Sequence, residues 1–522
     1  MSKDKNPHPD SRDAEPVDAT AFAKQERPTG EPPAKGTTRR GFLVSTASVA
    51  ALNAGLLLTR KAAGQEAAPS APPQEAAPAE TAPAEAAAPA PPAEAAPPPT
   101  PPPTPPPAIT RKGPNEDLNI AMIGLGAQGR VLMDCILRIP KIRVKAVCDI
   151  WEYSQKRGAG TLKKKGHDVN VYEDYQEMLA QEKDLDAVVI ATPDFVHALH
   201  ATACMRAGLD VYCEKEMSND LAKAAEMVRV SQETGRLLQI GHQRRSNPRY
   251  HHAINEVIRD AQLLGRVTQA FAQWNRAKSE DLGWPPKYEI PPDKLEQYGY
   301  DSMGHFRNWR WYKKYGGGPI VDLGSHQIDI FSWVWGVNPK AVTASGGVDF
   351  YPHHEWYDNV MAIYEFENEQ GVARAFYQTL TTTSHGRYHE AFMGEDGTVV
   401  ISEIPENGNE AFREAHAQEW EPFVKQGLLL QQETAAPVAE KSTNEIIDVR
   451  VSPKPLSWGL PVELYKPAHQ PHLENFFDAI RLGTPLNCPA EMGYETAVAV
   501  LKVNEAVEAQ RRLEFKPGEF VA

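Results

Sequence analysis

Residues 117–129 read DLNIAMIGLGAQG, and this stretch decides the fold of the first half of the globular chain. Its apolar residues up to Ile123 predict a short buried strand. Three glycines follow at once, Gly124, Gly126 and Gly129, and a helical pattern of apolar residues comes next. A strand, a G-x-G-x-x-G loop and a helix in this order are typical of a dinucleotide-binding unit.

An acid completes this pattern, because a second strand over residues 144–148 ends at Asp149, 20 residues after Gly129. The glycines allow a tight turn, a close approach of pyrophosphate, and close packing of helix on strand. Asp149 would accept hydrogen bonds from the ribose hydroxyls and repel a 2′-phosphate, which favours NAD over NADP. The residues predicted here to bind the cofactor are Gly124, Gly126, Ala127, Gln128, Gly129 and Asp149.

Further apolar runs at residues 186–191, 209–213 and 237–240 alternate with helical patterns. Repeated strand–helix units predict a parallel, doubly wound sheet whose ligand lies at the carboxyl ends of the strands. The pairs that follow these strands are therefore candidates for the nicotinamide end of the cleft: Thr192-Pro193, Glu214-Lys215 and His242-Gln243.

The second half has a different pattern, with four partly alternating strands and a hairpin signal at residues 395–397. We expect an α/β domain with an open, mostly antiparallel sheet. Residues 405–461 show no clear period and receive no assignment. The predicted organisation is a disordered N-terminus (1–36), an export signal (37–64), an Ala/Pro/Glu-rich spacer (65–113), a Rossmann domain (114–243) and a substrate and oligomerisation domain (244–522).

The export signal is predicted from residues 37–43, TTRRGFL, which precede a weakly hydrophobic stretch of small residues. Paired arginines followed by an aromatic residue resemble a twin-arginine signal and imply a periplasmic location. An uncleaved signal with the long spacer would leave the protein tethered to a membrane. The alternative is a chance arginine pair before a membrane anchor.

Charge and cysteine usage exclude several classes of function. The net charge is −14 and no long basic run occurs, which disfavours nucleic-acid binding. The five cysteines match no zinc spacing, so we expect buried free thiols and no bound metal.

Residues 316–329, GGGPIVDLGSHQID, place Asp322, His326 and Asp329 at spacings of four and three, on one face of a predicted helix. An aspartate and a histidine one turn apart can share a proton and orient each other. This arrangement suits general acid–base chemistry on a hydroxyl group.

The glycine loop, Thr192-Pro193 with His197, Glu214-Lys215 and the Gly-Gly-x-x-x-x-Asp-x-Gly-x-His run together resemble the Gfo/Idh/MocA family of oxidoreductases. The resemblance covers the chain from about residue 117 onwards. It implies cofactor contacts from Thr192, Pro193, His197, Glu214 and Lys215. It also implies a homo-oligomer and catalytic roles for Lys215, Asp322 and His326. In these roles His326 takes the hydroxyl proton, Lys215 stabilises charge on the same oxygen, and Asp322 binds a neighbouring hydroxyl or orients the base.

One residue departs from the family pattern, because Glu216 stands where the family usually has proline. Glu216 could pair with Lys215 and change its pKa. Candidate substrate contacts are Arg244, Arg245 and Trp309, with surface charge and core packing as the alternatives.

The sequence thus predicts an NAD(P)-dependent oxidoreductase that moves a hydride between nicotinamide and a sugar or polyol hydroxyl. One alternative is an NAD-dependent glycoside hydrolase or lyase that works by transient oxidation and elimination. The other is a non-catalytic sugar-binding protein.

Overall fold

The computed structural model describes residues 112–113, 115–431, 455–516 and 518–522. The predicted disordered N-terminus and export signal, and almost all of the spacer, lie outside the described residues. None of the helices in the described ranges combines the length and the hydropathy that crossing a membrane requires.

The first domain is built on a six-stranded parallel sheet in the order β3-β2-β1-β4-β5-β6, which confirms the predicted Rossmann fold. Its strands are β1 (Leu118–Ile123), β2 (Ile142–Cys148), β3 (Asn170–Tyr172), β4 (Ala187–Ile190), β5 (Asp210–Cys213) and β6 (Leu238–Ile240). Its helices are α1 (Ala127–Ile136), α2 (Glu152–Lys164), α3 (Tyr175–Gln181), α4 (Asp194–Arg206) and α5 (Leu221–Thr234).

Local sequence sets the ends of these helices. The side chain of Asp220 accepts hydrogen bonds from the first backbone N–H groups of α5, and Gly235 ends that helix with a φ of +65°. Asp174 caps α3 in the same way. A polar cap therefore fixes where α3 and α5 begin, and a glycine fixes where α5 ends.

The described part of the second domain carries a ten-stranded sheet in the order β14-β15-β13-β12-β11-β7-β10-β9-β8-β16. Among these strands only β7 and β10 pair in parallel, so the expectation of an open, mostly antiparallel sheet is confirmed. The strands are β7 (Val267–Asn275), β8 (Ala341–Gly347), β9 (Asn359–Asn368), β10 (Gly371–Leu380), β11 (Tyr388–Gly394), β12 (Gly397–Ile401), β13 (Glu410–Arg413), β14 (Leu430–Gln431), β15 (Leu456–Gly459) and β16 (Leu513–Glu514). The described parts of residues 405–461, which had no assignment from the sequence, thus form strands β13, β14 and β15 at one edge of this sheet.

The described residues of this second half form seven helices: α6 (Pro248–His251), α7 (Pro292–Gln297), α8 (Met303–Arg307), α9 (Gly318–Trp335), α10 (Glu421–Lys425), α11 (Gln470–Leu482) and α12 (Ala490–Ala509). A π-helical segment, His252–Asp260, continues α6, and short 3-10 turns lie at Gln243–Ser246, Pro286–Tyr288 and Trp309–Trp311. Helix α9 is almost entirely buried and crosses the inner face of the sheet.

The end of the chain returns to the first domain. Leu473, Phe476, Phe477 and Ile480 of α11 pack in one core with residues of β1 and β2, and α12 contributes to the core on the other face. The two domains therefore share hydrophobic cores, although they are consecutive in the sequence. All five cysteines are buried and free, as predicted.

Candidate active site

The glycine loop has the shape that a dinucleotide needs. Gly124 has a φ of +91°, and a Cβ there would lie 2.6 Å from the carbonyl oxygen of Ala191. A Cβ on Gly129 would lie 2.1 Å from the carbonyl oxygen of Gly124. A Cβ on Gly126 would meet no atom within 4 Å, so this glycine faces open space. The loop is therefore tight against β4 on one side and open on the other, where a pyrophosphate would approach the N-terminus of α1.

The Asp149 carboxylate is held at the end of β2 by the loop itself. Its Oδ2 accepts from the backbone N–H of Leu125 at 2.7 Å, and its Oδ1 from that of Trp151 at 2.8 Å. Burial raises the pKa of Asp149 to about 6, against the lowering effect of these two hydrogen bonds. Asp149 thus lies directly beside the glycine loop, where ribose hydroxyls could donate to it.

Thr192 and Pro193 lead from β4 into α4, as their predicted position requires. His197 is fully buried, with Nδ1 2.7 Å from the carbonyl oxygen of Glu216 and Nε2 2.6 Å from that of Thr192. Both ring nitrogens are occupied by backbone groups. The expected cofactor contact of His197 is therefore corrected. The ring instead links the loop after β4, at Thr192, to the loop after β5, at Glu216.

Glu214 and Lys215 follow β5, beside the loop after β4. Glu214 Oε1 accepts from Nε2 of Gln128 at 3.1 Å, which links this strand end to the glycine loop. The Lys215 ammonium donates to the carbonyl oxygen of Asp322, and its Nζ lies 3.5 Å from Asp322 Oδ1. The peptide bond between Lys215 and Glu216 is cis.

Asp322 lies in the first turns of α9 among three cations. Its Oδ1 accepts from Nε of Arg310 at 3.0 Å, and its Oδ2 lies 3.9 Å from Nη1 of Arg276. Burial alone would raise the pKa of Asp322, but Arg310, Lys215 and Arg276 outweigh burial and hold that pKa well below its usual range. Asp322 is therefore a carboxylate at any pH at which the protein would act.

His326 lies one helical turn after Asp322 and makes no hydrogen bond to any described residue. Its ring is 8 % exposed, and its centroid lies 5.6 Å from that of Trp274 and 6.4 Å from that of His242. Burial, and then Lys215, lower the pKa of His326 well below its usual value. The imidazole is thus neutral, with a free lone pair. The expected proton sharing between Asp322 and His326 is wrong in this structure, because Asp322 bonds to Arg310 instead.

The third member of the helical pattern, Asp329, belongs to a different interaction. Arg245 Nε lies 2.8 and 2.9 Å from the two Asp329 oxygens, and its Nη2 lies 2.6 Å from Oδ1. Thr496 of α12 donates to the same Oδ1 at 3.0 Å. The expected substrate contact of Arg245 is therefore corrected: its guanidinium joins α9 to the start of the second domain.

Arg244 likewise binds buried acidic residues in the protein interior. It is fully buried, its Nη1 donates to Glu390, and its Nε lies 3.1 Å from Oε2 of Glu403. Tyr250 donates to the other oxygen of Glu390 at 2.8 Å. Arg244 is thus the centre of a buried ion-pair network, which corrects its expected role in substrate binding.

Trp309, the third predicted substrate contact, borders the glycine run. A Cβ on Gly316 would lie 2.8 Å from the Trp309 ring, so the missing side chain makes room for the indole. The guanidinium carbon of Arg310 lies 4.3 Å from the centroid of this ring. Trp309 is therefore partly exposed and lies against Arg310, which bonds to Asp322. Its contact with a substrate stays a prediction.

Glu216, the departure from the family pattern, faces the interior and makes no ion pair with Lys215. Its Oε1 accepts from the backbone N–H of Met217 at 2.9 Å, and its Oε2 has no partner among the described residues. Burial raises the pKa of Glu216 to about 8. Glu216 is therefore a neutral carboxylic acid at neutral pH.

Three residues at the site were not predicted from the sequence: Asp194, Arg276 and Arg310. Asp194 follows Thr192-Pro193 directly, and that position could have indicated it. Burial raises the pKa of Asp194 to about 7, and Lys215 and Arg310 act against burial while Asp322 acts with it. The two arginines lie in irregular segments that carry no pattern. Within the described ranges no group of side chains is arranged to hold a metal ion.

The fold and site define a two-domain protein in which a dinucleotide-binding Rossmann domain presents a lysine to an aspartate and a histidine of the second domain. Comparison with protein-family models makes the assignment specific. Residues 118–242 match the NAD-binding Rossmann fold of the Gfo/Idh/MocA oxidoreductase family, and residues 252–400 match a C-terminal domain of the same family. The protein belongs to the Gfo/Idh/MocA family, and its first domain binds NAD, as the glycine loop predicted.

Curated relatives share part of the chain. A 4-carboxy-2-hydroxymuconate-6-semialdehyde dehydrogenase of Sphingobium is 31 % identical over 32 % of this chain and 53 % of its own length. An inositol 2-dehydrogenase of Rubrobacter xylanophilus is 29 % identical over 32 % of this chain and 46 % of its own length. The chain thus spans about half the length of these relatives.

Solved structures share the fold more completely. A levoglucosan dehydrogenase in complex with NADH and levoglucosan aligns with a TM-score of 0.56 at 17 % identity, over 77 % of this chain and 100 % of its own. The WlbA dehydrogenase of Bordetella pertussis, in complex with NADH and UDP-GlcNAcA, aligns with a TM-score of 0.53 at 15 % identity, over 77 % and 99 %. At these identities the likeness concerns the fold.

Proposed function

We propose that the protein is an NAD-dependent oxidoreductase that transfers a hydride between nicotinamide and a hydroxyl-bearing carbon of a sugar or polyol. The observation that carries this proposal is the His326 imidazole, neutral and without a hydrogen-bond partner among the described residues, one turn from Asp322. Asp322 in turn contacts Lys215 at the end of β5. These are the groups that oxidation of an alcohol requires.

NAD, when bound, supplies the acceptor for the hydride. In the oxidation direction the hydroxyl loses its proton to a ring nitrogen of His326, while the carbon that bears it loses a hydride and becomes a carbonyl carbon. The Lys215 ammonium donates a hydrogen bond to the same oxygen and stabilises its developing negative charge. In the reverse direction the protonated His326 returns its proton to the oxygen.

The substrate class is supported by the site and by the relatives. Trp309 and Trp274 offer aromatic surface beside Asp322 and His326, and the non-polar faces of sugar rings pack on such surfaces. One curated relative is an inositol dehydrogenase, and one structural neighbour is a levoglucosan dehydrogenase with its sugar bound. A polyhydroxylated ring is therefore the substrate that we propose.

The direct test is NADH production by the full-length protein from a panel of sugars and polyols, including myo-inositol and levoglucosan. We expect an absorbance increase at the NADH band for at least one member. No turnover of any member in either direction, by protein that binds NADH, would contradict the proposal.

A redox-neutral glycoside cleavage is the second candidate, and one feature favours it. An aromatic segment of the second domain, residues 284–315, packs against Trp151, whose backbone N–H bonds to Asp149. Trp151 Nε1 donates to the carbonyl oxygen of Tyr288 at 2.6 Å, and Arg307 lies 4.7 Å over the Trp151 ring. These contacts hold the aromatic segment beside Asp149, where it would slow the release of a bound cofactor. They therefore favour a cofactor that stays bound through many cycles.

The two candidates are separated by the products. Cleavage of a p-nitrophenyl glycoside with no net NADH, by protein purified with its cofactor, would favour the redox-neutral reaction. Stoichiometric NADH with an intact glycosidic bond would favour simple oxidation.

We also propose that the protein is exported to the periplasm by the twin-arginine route and that it assembles as a homo-oligomer. An uncleaved signal would leave the exported protein tethered to the membrane. Arg39 and Arg40 before a weakly hydrophobic stretch support the export route. Five buried free thiols suit an oxidising destination, since buried thiols react slowly. Replacing both arginines with lysine should keep the protein in the cytoplasm, and light scattering of the purified protein gives its assembly state.

A further inference from the structure

Two arginines from separate segments meet at Asp322. Arg276 follows directly after β7, and Arg310 lies in the short 3-10 turn Trp309–Trp311. The Arg310 Nε lies 3.0 Å from Asp322 Oδ1, and the Arg276 Nη1 lies 3.9 Å from Asp322 Oδ2. Both guanidinium groups therefore border the residues to which we assign the chemistry.

Most of their hydrogen-bonding capacity is unused. A guanidinium carries five N–H donors. Toward the described residues, however, Arg310 donates through Nε alone, and the Arg276 side chain makes no hydrogen bond. The side chains are 45 % and 53 % exposed, respectively. The outward N–H groups are thus open to a ligand.

Each guanidinium is positioned by a tryptophan. The Arg310 guanidinium carbon lies 4.3 Å from the ring centroid of Trp309, and that of Arg276 lies 5.4 Å from the ring centroid of Trp274. Stacking on an aromatic face limits the rotation of a long side chain, so less entropy is lost when a ligand binds. Trp274 also packs against His326, which brings Arg276 to the same end of the cleft.

The balance of charge leaves these arginines without full compensation. Lys215, Arg276 and Arg310 surround the single carboxylate of Asp322. Asp194 and Glu214 are the other acids that interact with Arg310. Burial raises the pKa of Asp194 to about 7, so it carries only part of a negative charge at neutral pH. The three cations therefore still outnumber the charged carboxylates, and a neutral sugar would not offset the remaining positive charge.

We infer that Arg276 and Arg310 together bind an anionic substituent of the substrate, so that the substrate is an acidic sugar such as a uronic acid or a sugar phosphate. This inference rests on the proposed function, because it assigns the substrate class of the same site. A carboxylate or a phosphate oxygen pair matches the planar donor fork of arginine. The anionic group would lie beside Asp322, and the reacting hydroxyl would face His326.

The test measures binding of matched sugars to the full-length protein saturated with NADH, by titration calorimetry. The probes are D-glucose, D-glucuronate and D-glucose 6-phosphate, and the corresponding galactose series. We expect an anionic member to bind at least about tenfold more tightly than its neutral parent, as one charge-assisted contact provides. The preferred anion distinguishes a carboxylate from a phosphate.

Arg276→Gln should reduce this ratio to about twofold or less, because it removes one positive charge and the outward donors. Arg374→Gln is the matched control, since Arg374 is exposed on β10 of the same sheet. The control should keep the wild-type ratio. NADH affinity, measured by fluorescence, should be the same in all three proteins.

Equal affinities within each series, or no measurable binding of any probe, would overturn the inference. A loss of NADH affinity in Arg276→Gln would also overturn it, because the arginine would then serve the cofactor. These outcomes are separate from the fate of the proposed function. Neutral sugars oxidised as well as acidic ones would contradict only the inference, and tight anion binding without any turnover would contradict only the proposed oxidation.

Discussion

Lys215 Nζ lies 3.5 Å from Asp322 Oδ1, although 107 residues of chain separate the two. The lysine comes from the end of a Rossmann strand, and the aspartate from the buried helix of the second domain. The acid–base groups therefore come together only when both domains have folded and packed against each other. Substitutions at this contact therefore test the proposed hydride-transfer reaction, whereas substitutions in the buried interior test the stability of the fold.

His326→Gln removes the proposed base but keeps a polar side chain of similar size. We expect kcat for sugar oxidation to fall by about 10² to 10⁴, because positioned proton transfer typically contributes that much. NADH affinity should not change. His416→Gln, at an exposed histidine of the second domain, is the control and should keep full activity. A loss of less than about tenfold in His326→Gln would assign the proton transfer to another group.

Gly126→Ala should separate cofactor binding from folding. The added methyl group meets no atom within 4 Å in the protein, so stability should stay near wild type, while the methyl group would occupy the space where pyrophosphate approaches. NADH affinity, measured by fluorescence titration, should fall by about tenfold or more.

Two other glycines serve as controls for this variant. A methyl group on Gly160 of α2 also meets no atom within 4 Å, and Gly160→Ala should keep NADH affinity. A methyl group on Gly129 would lie 2.1 Å from a carbonyl oxygen, so Gly129→Ala should lower stability itself. Unchanged NADH affinity in Gly126→Ala would place the dinucleotide elsewhere.

Arg244→Met should destabilise the protein strongly. It leaves Glu390 and Glu403 in the interior without their cation, and breaking a buried ion pair in this way costs about 3 to 5 kcal/mol. The measurement is urea unfolding followed by tryptophan fluorescence. Arg138→Met breaks an exposed i,i+4 pair with Asp134 and should cost about 0.5 kcal/mol or less. Equal effects of the two substitutions would contradict the buried-network assignment.

Glu216 makes stability depend on pH in a defined direction. Burial raises its pKa in the folded protein from about 4.5 to about 8. Between these two values the unfolded chain releases the proton that the folded chain keeps, so this residue contributes stability at low pH that is lost as the pH rises through about 8.

Glu216→Gln mimics the neutral acid and should remove this dependence. We expect the variant and the wild type to have similar free energies of unfolding at pH 5. At pH 8.5 the variant should be more stable, by at most on the order of 4 kcal/mol. Glu369→Gln, at an exposed turn, should follow the wild type at both pH values. A constant difference between the Glu216 variant and the wild type across this pH range would be inconsistent with a buried neutral acid.

Short-range sequence patterns were enough to predict the Rossmann half. The glycine spacing and Asp149 lie within one strand–helix–strand unit, where local geometry determines which groups meet. The convergence of Lys215, Asp322 and His326 followed from family resemblance, and the structure does bring these three to one place. Their individual roles stay predictions until the variants are measured.

Long-range pairing set the limit of prediction. The sequence predicts substrate contacts for the adjacent Arg244 and Arg245. Their partners in the structure, however, are Glu390, Glu403 and Asp329, which lie 84 to 159 residues away. Arg276 and Arg310 lie in loops with no repeating pattern, and only the folded chain shows that both reach Asp322. Spacing along the sequence carries no information on such contacts.

Helix α11 places four apolar side chains in the core of the first domain. These residues are translated after all six strands of the first domain, so a nascent chain that has not yet reached Gln470 lacks part of that core. A truncated chain that ends before Gln470 would expose the apolar surface of β1 and β2 to solvent. We therefore expect stable folding of the nucleotide-binding half to require a helix that the sequence places far outside it.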